Sequence, residues 1–270
     1  MEGPILRPAR REDLDEICRV WEACFGDAAE TVKGLMGPEM LEKTTVAELV
    51  GGVRSLMTAF DGLILGGVGS SYILGLCTAP EFRGLGLGER VLRETVRAAF
   101  ERGAGLVCLH PASESLARWY EGLGFCVLSR VSYEPAAASG GVGLERAGAG
   151  EYAALRAGAA PDVPEALLRA QELFYGEGDG GLFALTGGLW SGCACVRLTE
   201  TGAQIRELIC PRGHRAAAAA EISARFGATA CLPHILPPDA ERGDTHLVGV
   251  RKTGGAVSLT GPPYLPFTLD

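Results

Sequence analysis

One stretch decides the fold, Tyr72–Leu92, which runs YILGLCTAPEFRGLGLGERVL. The apolar run at its start predicts a strand, and the spacing of apolar residues after the glycines predicts a helix over Gly88–Arg102. Between them, Gly84, Gly86 and Gly88 stand at alternate positions and let the backbone curl so that consecutive N–H groups point inward. The start of a helix adds partial positive charge at the same place. The stretch therefore predicts a cradle for a pyrophosphate.

The two common nucleotide-binding motifs do not fit this stretch. A mononucleotide P-loop requires Lys-Ser or Lys-Thr after its glycines, and neither follows here. The dinucleotide motif requires a third glycine where Glu89 stands, and an acidic residue after the next strand, which Leu106–His110 does not offer. From the residues alone, a glycine-rich turn without a ligand remains the alternative.

A second motif lies further along the chain, where Ser115–Phe125 reads SLARWYEGLGF. Arg83–Gly88 resembles the acyl-CoA-binding motif of the GNAT N-acetyltransferase superfamily, [RQ]-x-x-G-x-[GA], and this second segment resembles the family's Y-E-x-x-G-F helix. The resemblance covers about Ile5–Arg130. It implies an α/β (α+β) fold with a mixed, mostly antiparallel sheet flanked by helices. In that fold two neighbouring parallel strands, here Ser71–Thr78 and Leu106–Leu109, splay apart to admit a pantetheine arm.

The resemblance implies acetyl-CoA as the acyl donor and assigns residues to it. Backbone N–H groups of the glycine-rich loop are expected to bind the pyrophosphate, while main-chain groups at the end of the preceding strand bind the acyl carbonyl and the pantetheine. The predicted coenzyme-binding residues are Leu76, Cys77, Thr78, Arg83, Gly84, Leu85, Gly86, Leu87, Gly88 and Ser115. Two interpretations stay open for the Arg83 side chain, which either lies near phosphate or is a solvated surface charge.

Tyr120 matches the tyrosine that, in the family, protonates the departing thiolate. A phenol with a pKa near 10 and a thiol near 8.5 differ by only about 1.5 units, which suits that transfer. The alternative is an aromatic residue that fills the core beside Trp119. For the general base, His110 at the end of the Leu106–Leu109 strand is one candidate, and a histidine held there by a hydrogen bond is the alternative. No metal ligand is predicted.

The second half of the chain partly repeats the pattern of the first. A small-residue stretch predicts a linker over 135–144, between a catalytic GNAT domain (1–134) and a degenerate GNAT-like domain (145–270). Pro211–Ala216 stands where the cradle would recur and holds a single glycine, so a second coenzyme site is not expected. Instead, this half is expected to shape the acceptor pocket or to form a contact between copies of the chain as a homo-oligomer.

The tandem arrangement resembles the Eis-type acetyltransferases without their third domain. In that family the terminal carboxylate of the chain enters the first module's active site as a base. The resemblance thus makes Asp270 a second candidate base, because it ends an apolar, proline-rich tail. The alternative is an edge strand of the second module with Asp270 exposed.

Composition excludes several classes of partner. With 25 basic and 33 acidic residues the net charge is −8, and no basic stripe offsets it, so a nucleic-acid partner is not expected. No apolar run is long enough for a membrane helix, and the first residues lack the apolar core of a signal peptide. The nine cysteines form no C-x-x-C pair and the four histidines are far apart. Reduced thiols and a cytoplasmic location are therefore expected, without a zinc or disulfide framework.

These observations predict an N-acetyltransferase that transfers an acetyl group from acetyl-CoA to an amine of a small molecule or peptide. The amine is expected to attack directly in a ternary complex. An acyl-enzyme on Cys77 is disfavoured, because a cysteine in an apolar strand without a base more often serves packing. The alternative function is a non-catalytic module that binds acyl-CoA as a sensor.

Overall fold

The computed structural model describes residues 3–136, 141–241, 245–251, 259–260 and 263. The strands are β1 (Ile5–Pro8), β2 (Thr44–Leu49), β3 (Gly52–Leu65), β4 (Val68–Thr78), β5 (Leu106–Leu109), β6 (Cys126–Pro135), β7 (Gly143–Arg146), β8 (Gly181–Gly187), β9 (Trp190–Thr199), β10 (Gly202–Ile209), β11 (Ala230–Leu236) and β12 (Thr245–Arg251). The α-helices are α1 (Leu14–Phe25), α2 (Ala29–Leu35), α3 (Pro38–Glu42), α4 (Leu87–Glu101), α5 (Glu114–Gly122), α6 (Ala149–Arg156), α7 (Glu165–Glu177) and α8 (Arg215–Phe226). Within the described parts of the chain, no helix is both long and apolar enough to cross a membrane.

Backbone contacts divide the chain into two units. The first unit takes its described residues from 1–63, 68–109 and 250–257, and the second takes them from 64–67, 110–249 and 258–270. The boundaries differ from those of the predicted domains, since the chain leaves the first unit after β5 rather than at 135–144. That predicted linker overlaps the end of β6 and the start of β7. The assignment of 1–134 and 145–270 as domains stays a prediction.

The first unit is a sheet with strand order β1-β2-β3-β4-β5. Strands β1, β2 and β3 pair antiparallel, and β4 pairs with β5 in parallel. Helices α1 and α4 bury their apolar faces in this unit, because residues spaced three and four apart share one side of a helix. Their most buried side chains include Ile17, Trp21, Val91 and Leu92.

The second unit repeats the order of elements of the first. In the first unit β1 is followed by helices, then β2, β3, β4, a 3₁₀ turn, α4 and β5. The second unit has β7, helices, β8, β9, β10, a 3₁₀ turn, α8 and β11, and β10 pairs with β11 in parallel as β4 does with β5. Its strand order is β12-β6-β11-β10-β9-β8-β7. The repeat predicted from the sequence pattern is therefore present in the topology.

Candidate functional site

The glycine-rich loop caps α4 with left-handed backbone. Gly84 has φ 80° and Gly86, the N-cap residue of α4, has φ 72°. No side chain caps this helix start, so its first N–H groups lack the partner that Ser, Thr, Asp or Asn would supply. A Cβ built on either glycine would meet nothing within 4 Å. The loop thus combines uncapped N–H groups with open space, which is what an anion needs at a helix start.

The last part of β4 has one free edge within the first unit. The β4–β5 ladder joins Ser70–Leu106, Ser71–Val107 and Tyr72–Cys108, and β4 then continues to Thr78. Parallel strands that pair over so short a stretch leave the backbone groups of the longer strand without ladder partners. The predicted parallel pair is confirmed, and the ladder stops well before the loop.

Hydrogen bonds to β3 show which backbone groups of β4 point to its free edge. The Cys77 carbonyl accepts from Ser55 Oγ at 2.7 Å, and the Ala79 N–H donates to the Arg54 carbonyl at 2.8 Å. Because successive residues of a strand point their backbone groups to opposite edges, those of Leu76 and Thr78 point away from β3. Of the three predicted strand residues, Leu76 and Thr78 therefore offer main-chain groups, whereas the Cys77 carbonyl is already bonded.

Gly75 interrupts the extended backbone of β4 with a left-handed conformation. Its φ is 72°, and a Cβ on it would overlap the indole ring of Trp21 from α1. Trp21 is only 2% exposed, and its Nε1 donates to Asp27 Oδ2 at 2.7 Å, so the ring is held in place. A glycine inside a strand is a recognised signal of a bulge or close approach, but the sequence does not show which ring approaches.

Arg83 folds back onto the end of β4. Its Nε donates to the Thr78 carbonyl at 3.2 Å, and its Nη2 lies 3.5 Å from Cys24 Sγ. The Cys24 thiol also donates to the Thr78 carbonyl, at 3.3 Å. The Arg83 guanidinium thus anchors the loop to the end of β4. The sequence did not predict this role, because it suggested only contact with phosphate or with solvent. Since the Thr78 carbonyl already has two donors, and the Thr78 backbone also interacts with Cys24, Leu76 remains as the residue that offers main-chain groups to a ligand.

The other predicted site residues belong to the second unit. Tyr120 on α5 is 6% exposed and packs edge-on against Trp119 and Phe125, with ring centroids 4.9 and 5.4 Å away. Burial raises the pKa of its phenol, which keeps the hydroxyl protonated at neutral pH. His110 directly follows β5 and is 8% exposed.

Ser115 lies exposed in the first turn of α5, and Ser113 caps that helix by accepting from the Leu116 N–H at 3.3 Å. Asp270 and its tail from Tyr264 onward lie outside the described residues. The coenzyme role of Ser115 and the catalytic roles of Tyr120, His110 and Asp270 stay predictions.

The strand of the second unit that corresponds to β4 carries a buried ionic cluster. After the β10–β11 ladder, β10 carries Glu207, which is 2% exposed. Its carboxylate accepts from the Tyr152 hydroxyl at 2.8 Å and from Arg156 Nη2 at 3.0 Å, both of which come from α6. Gly213, in the turn before α8, lacks a positive φ. The second unit therefore repeats the topology without the glycine cradle.

Residues 6–127 match the family model described as Acetyltransferase (GNAT) domain. This segment contains β4, the glycine-rich loop, α4, β5 and the tyrosine motif, as the resemblance predicted. The first half of the chain is thus similar to a GNAT acetyltransferase domain. No curated protein is similar enough in sequence to match.

Solved structures with the same fold extend over both units. A GCN5-related N-acetyltransferase from Kribbella flavida is 21% identical with a TM-score of 0.60, covering 91% of this chain and 71% of its own. Eis1 from Mycobacterium abscessus is 14% identical with a TM-score of 0.61, covering 90% and 73%. A putative acetyltransferase from Pyrococcus horikoshii is 15% identical with a TM-score of 0.61, covering 99% and 96%. At these identities the likeness establishes the fold, and the predicted mixed, mostly antiparallel GNAT sheet with flanking helices is confirmed.

Proposed function

We propose that this protein is an acyl-CoA-dependent N-acetyltransferase that uses acetyl-CoA to acetylate an amine of a small molecule or peptide. The observation that carries the proposal is the loop of left-handed glycines that joins the free end of β4 to the uncapped start of α4. It lies within the segment that matches the GNAT acetyltransferase domain.

The residues present fit the coenzyme that the family implies. Gly84 and Gly86 face open space, so a pyrophosphate can approach the loop backbone closely, and the helix start favours its negative charge. Each such charge is stabilised by about 0.3–1 kcal/mol at an exposed site and about 2 kcal/mol where it is partly buried. When bound, the coenzyme supplies the thioester whose acyl group is transferred.

Main-chain groups of β4 orient the acyl end in this proposal. The backbone groups of Leu76 point to the edge that β5 does not pair. A backbone N–H there donates to the carbonyl oxygen that gains negative charge as the amine attacks, which lowers the barrier because the donor is already oriented. Ser55 fixes this part of the strand through the Cys77 carbonyl and the Thr78 hydroxyl, at 2.7 and 2.9 Å.

Proton transfer is assigned to Tyr120 as the acid, with His110 or Asp270 as the base. Burial raises the pKa of the phenol, so the difference between its pKa and that of the leaving thiol is larger than in water. In this proposal the phenol first donates a hydrogen bond to the thiolate and then transfers its proton. The base is needed because an amine of pKa about 10.4 is neutral in only about one molecule in 2,500 at pH 7. Direct attack is favoured over an acyl-enzyme on Cys77, since that thiol is 4% exposed and burial raises its pKa.

The experiment that tests the proposal is a thiol-release assay with acetyl-CoA and a panel of primary amines and N-terminal peptides. Acceptor-dependent release of free CoA thiol, with the acetylated amine identified by mass spectrometry, is the expected result. A matched reaction with Gly86→Asp should give only the background rate of hydrolysis. Tight coenzyme binding without turnover on any acceptor would instead favour the non-catalytic sensor.

A further inference from the structure

Two thiols from different elements meet at the base of the glycine-rich loop. Cys24 is the next-to-last residue of α1, and its sulfur lies 3.3 Å from the carbonyl oxygen of Thr78, the residue that follows Cys77 in β4. The two thiols are near enough for each to shift the pKa of the other. Cys24 is partly exposed, whereas Cys77 is buried. A reagent from solvent can therefore reach the Cys24 side chain, whereas Cys77 is shielded from solvent.

The surroundings of Cys24 stabilise its thiolate. As a thiol, Cys24 donates to the Thr78 carbonyl at 3.3 Å; as a thiolate it accepts from Cys77 and from Arg83 Nη2 at 3.5 Å. The titratable groups that face it are these two, and together they outweigh burial. The hydrogen bond from Cys77, followed by that from Arg83, lowers the pKa of Cys24 to about 6. Burial and the neighbouring Cys24 raise the pKa of Cys77.

We propose that Cys24 and Cys77 form a hydroperoxide-reactive thiol pair, in which Cys24 is oxidised first and Cys77 then joins it in an intramolecular disulfide. A partly exposed thiolate next to a resolving thiol is the arrangement of redox-sensitive cysteines. The proposal rests on these contacts and does not depend on the proposed acetyl transfer.

The chemistry balances over two steps. The Cys24 thiolate attacks one peroxide oxygen, the O–O bond breaks, and the hydroxide or alkoxide that leaves takes a proton from water. The Cys77 thiol then loses its proton, its sulfur attacks the Cys24 sulfenic acid, and the S–O bond breaks as the S–S bond forms, releasing water. The two thiols lose two electrons in total and the hydroperoxide gains them, giving one disulfide, one alcohol or water from the peroxide, and one water.

Oxidation at this place reaches the coenzyme loop through Arg83. The guanidinium contacts the Cys24 sulfur and the Thr78 carbonyl, and it stands at the first position of the loop. A neutral disulfide sulfur is a much weaker acceptor than a thiolate, so the Thr78 carbonyl becomes the remaining anchor. The disulfide would also connect the end of α1 covalently to β4.

The test treats the reduced full-length protein with a small excess of hydrogen peroxide, alkylates the remaining thiols, and maps peptides by mass spectrometry. Because the chain has nine cysteines, seven alkylated sites and one Cys24–Cys77 peptide are expected. The control variant is Cys126→Ser, which removes an exposed cysteine outside the proposed pair. This variant should form the Cys24–Cys77 disulfide in the same yield as the wild-type protein.

Two further variants separate the steps. Cys77→Ser should stop at a Cys24 sulfenic acid that dimedone labels, and Cys24→Ser should leave Cys77 reduced. Wild-type protein that keeps all nine thiols under peroxide, or dimedone labelling of Cys126 in place of Cys24, would overturn the proposal. If Cys77→Ser does not fold, as judged by circular dichroism, the wild-type peptide map decides alone.

Discussion

Replacing Gly75 by alanine should destabilise the protein by an amount that the structure divides into two parts. The residue has φ 72°, and left-handed backbone costs a residue with a Cβ about 1–2 kcal/mol. The new methyl group would also overlap the Trp21 ring, which is 2% exposed and fixed by its bond to Asp27. Overpacking of this kind costs about 1–3 kcal/mol. The two parts together predict a loss of about 2–5 kcal/mol.

Two matched variants isolate the parts of this loss. Gly86 has the same φ of 72° but faces open space, so Gly86→Ala should cost only the backbone part, about 1–2 kcal/mol. In a Trp21→Leu background, Gly75→Ala should likewise fall to about 1–2 kcal/mol, because the ring that it overlaps is gone.

The assay is urea unfolding of the ligand-free protein, followed by circular dichroism, with the free energies of unfolding compared across the double-mutant cycle. The reasoning would be refuted if Gly75→Ala cost no more than Gly86→Ala, or if its cost were the same with and without Trp21. Either result would mean that β4 can accept a side chain at position 75.

Three further predictions concern the site. Gly86→Asp should reduce coenzyme affinity by about three orders of magnitude, because one added charge about 4 Å from a phosphate costs roughly 4 kcal/mol at an effective dielectric constant of about 20. Calorimetry measures this affinity. The control is Gly227→Asp, which changes another positive-φ glycine in open space and should keep the affinity of the wild-type protein. Tyr120→Phe should lower turnover about 10²–10⁴-fold with coenzyme affinity retained, and wild-type turnover would place the ring in the core only. The rate of iodoacetamide labelling at Cys24 should rise as pH increases through about 6, because the thiolate is the reactive form; a rise centred near pH 9 would show that its hydrogen-bond donors do not stabilise it.

The sequence predicted the elements around the loop because local signals define them. The strand predicted over Leu106–Leu109 is β5, which has these bounds. An apolar run is a local property that this segment expresses without help from neighbours. The glycine-rich loop was found for the same reason, since positive φ at Gly84 and Gly86 follows from their lack of a side chain.

Other elements escaped prediction because their signals are weak or depend on tertiary contacts. The short strand β7 falls in a stretch of small residues that predicted a linker, and it is a strand because it pairs with β8. Helices α2, α3 and α7 were also not predicted. Short helices gain most of their stability from packing, which a sequence pattern shows poorly.

The contacts of Cys24 could not be predicted either. Fifty-three positions separate it from Cys77 in the chain, and no local pattern connects a residue near the end of a helix with one strand among several. Arg83 is similar, because the sequence leaves open whether its guanidinium meets phosphate or solvent. In the folded chain, the Thr78 carbonyl and the Cys24 sulfur lie within hydrogen-bond distance of the Arg83 guanidinium.

The measurement that tests the account most directly is a calorimetric titration of acetyl-CoA into the full-length protein. The first unit has the glycine cradle, whereas the corresponding turn of the second unit has Gly213 without a positive φ, so the account predicts saturable binding with one site per chain. That binding should be lost in Gly86→Asp, whose fold circular dichroism would verify. No binding to the wild-type protein, or undiminished binding to folded Gly86→Asp, would contradict the central claim that this loop holds the coenzyme.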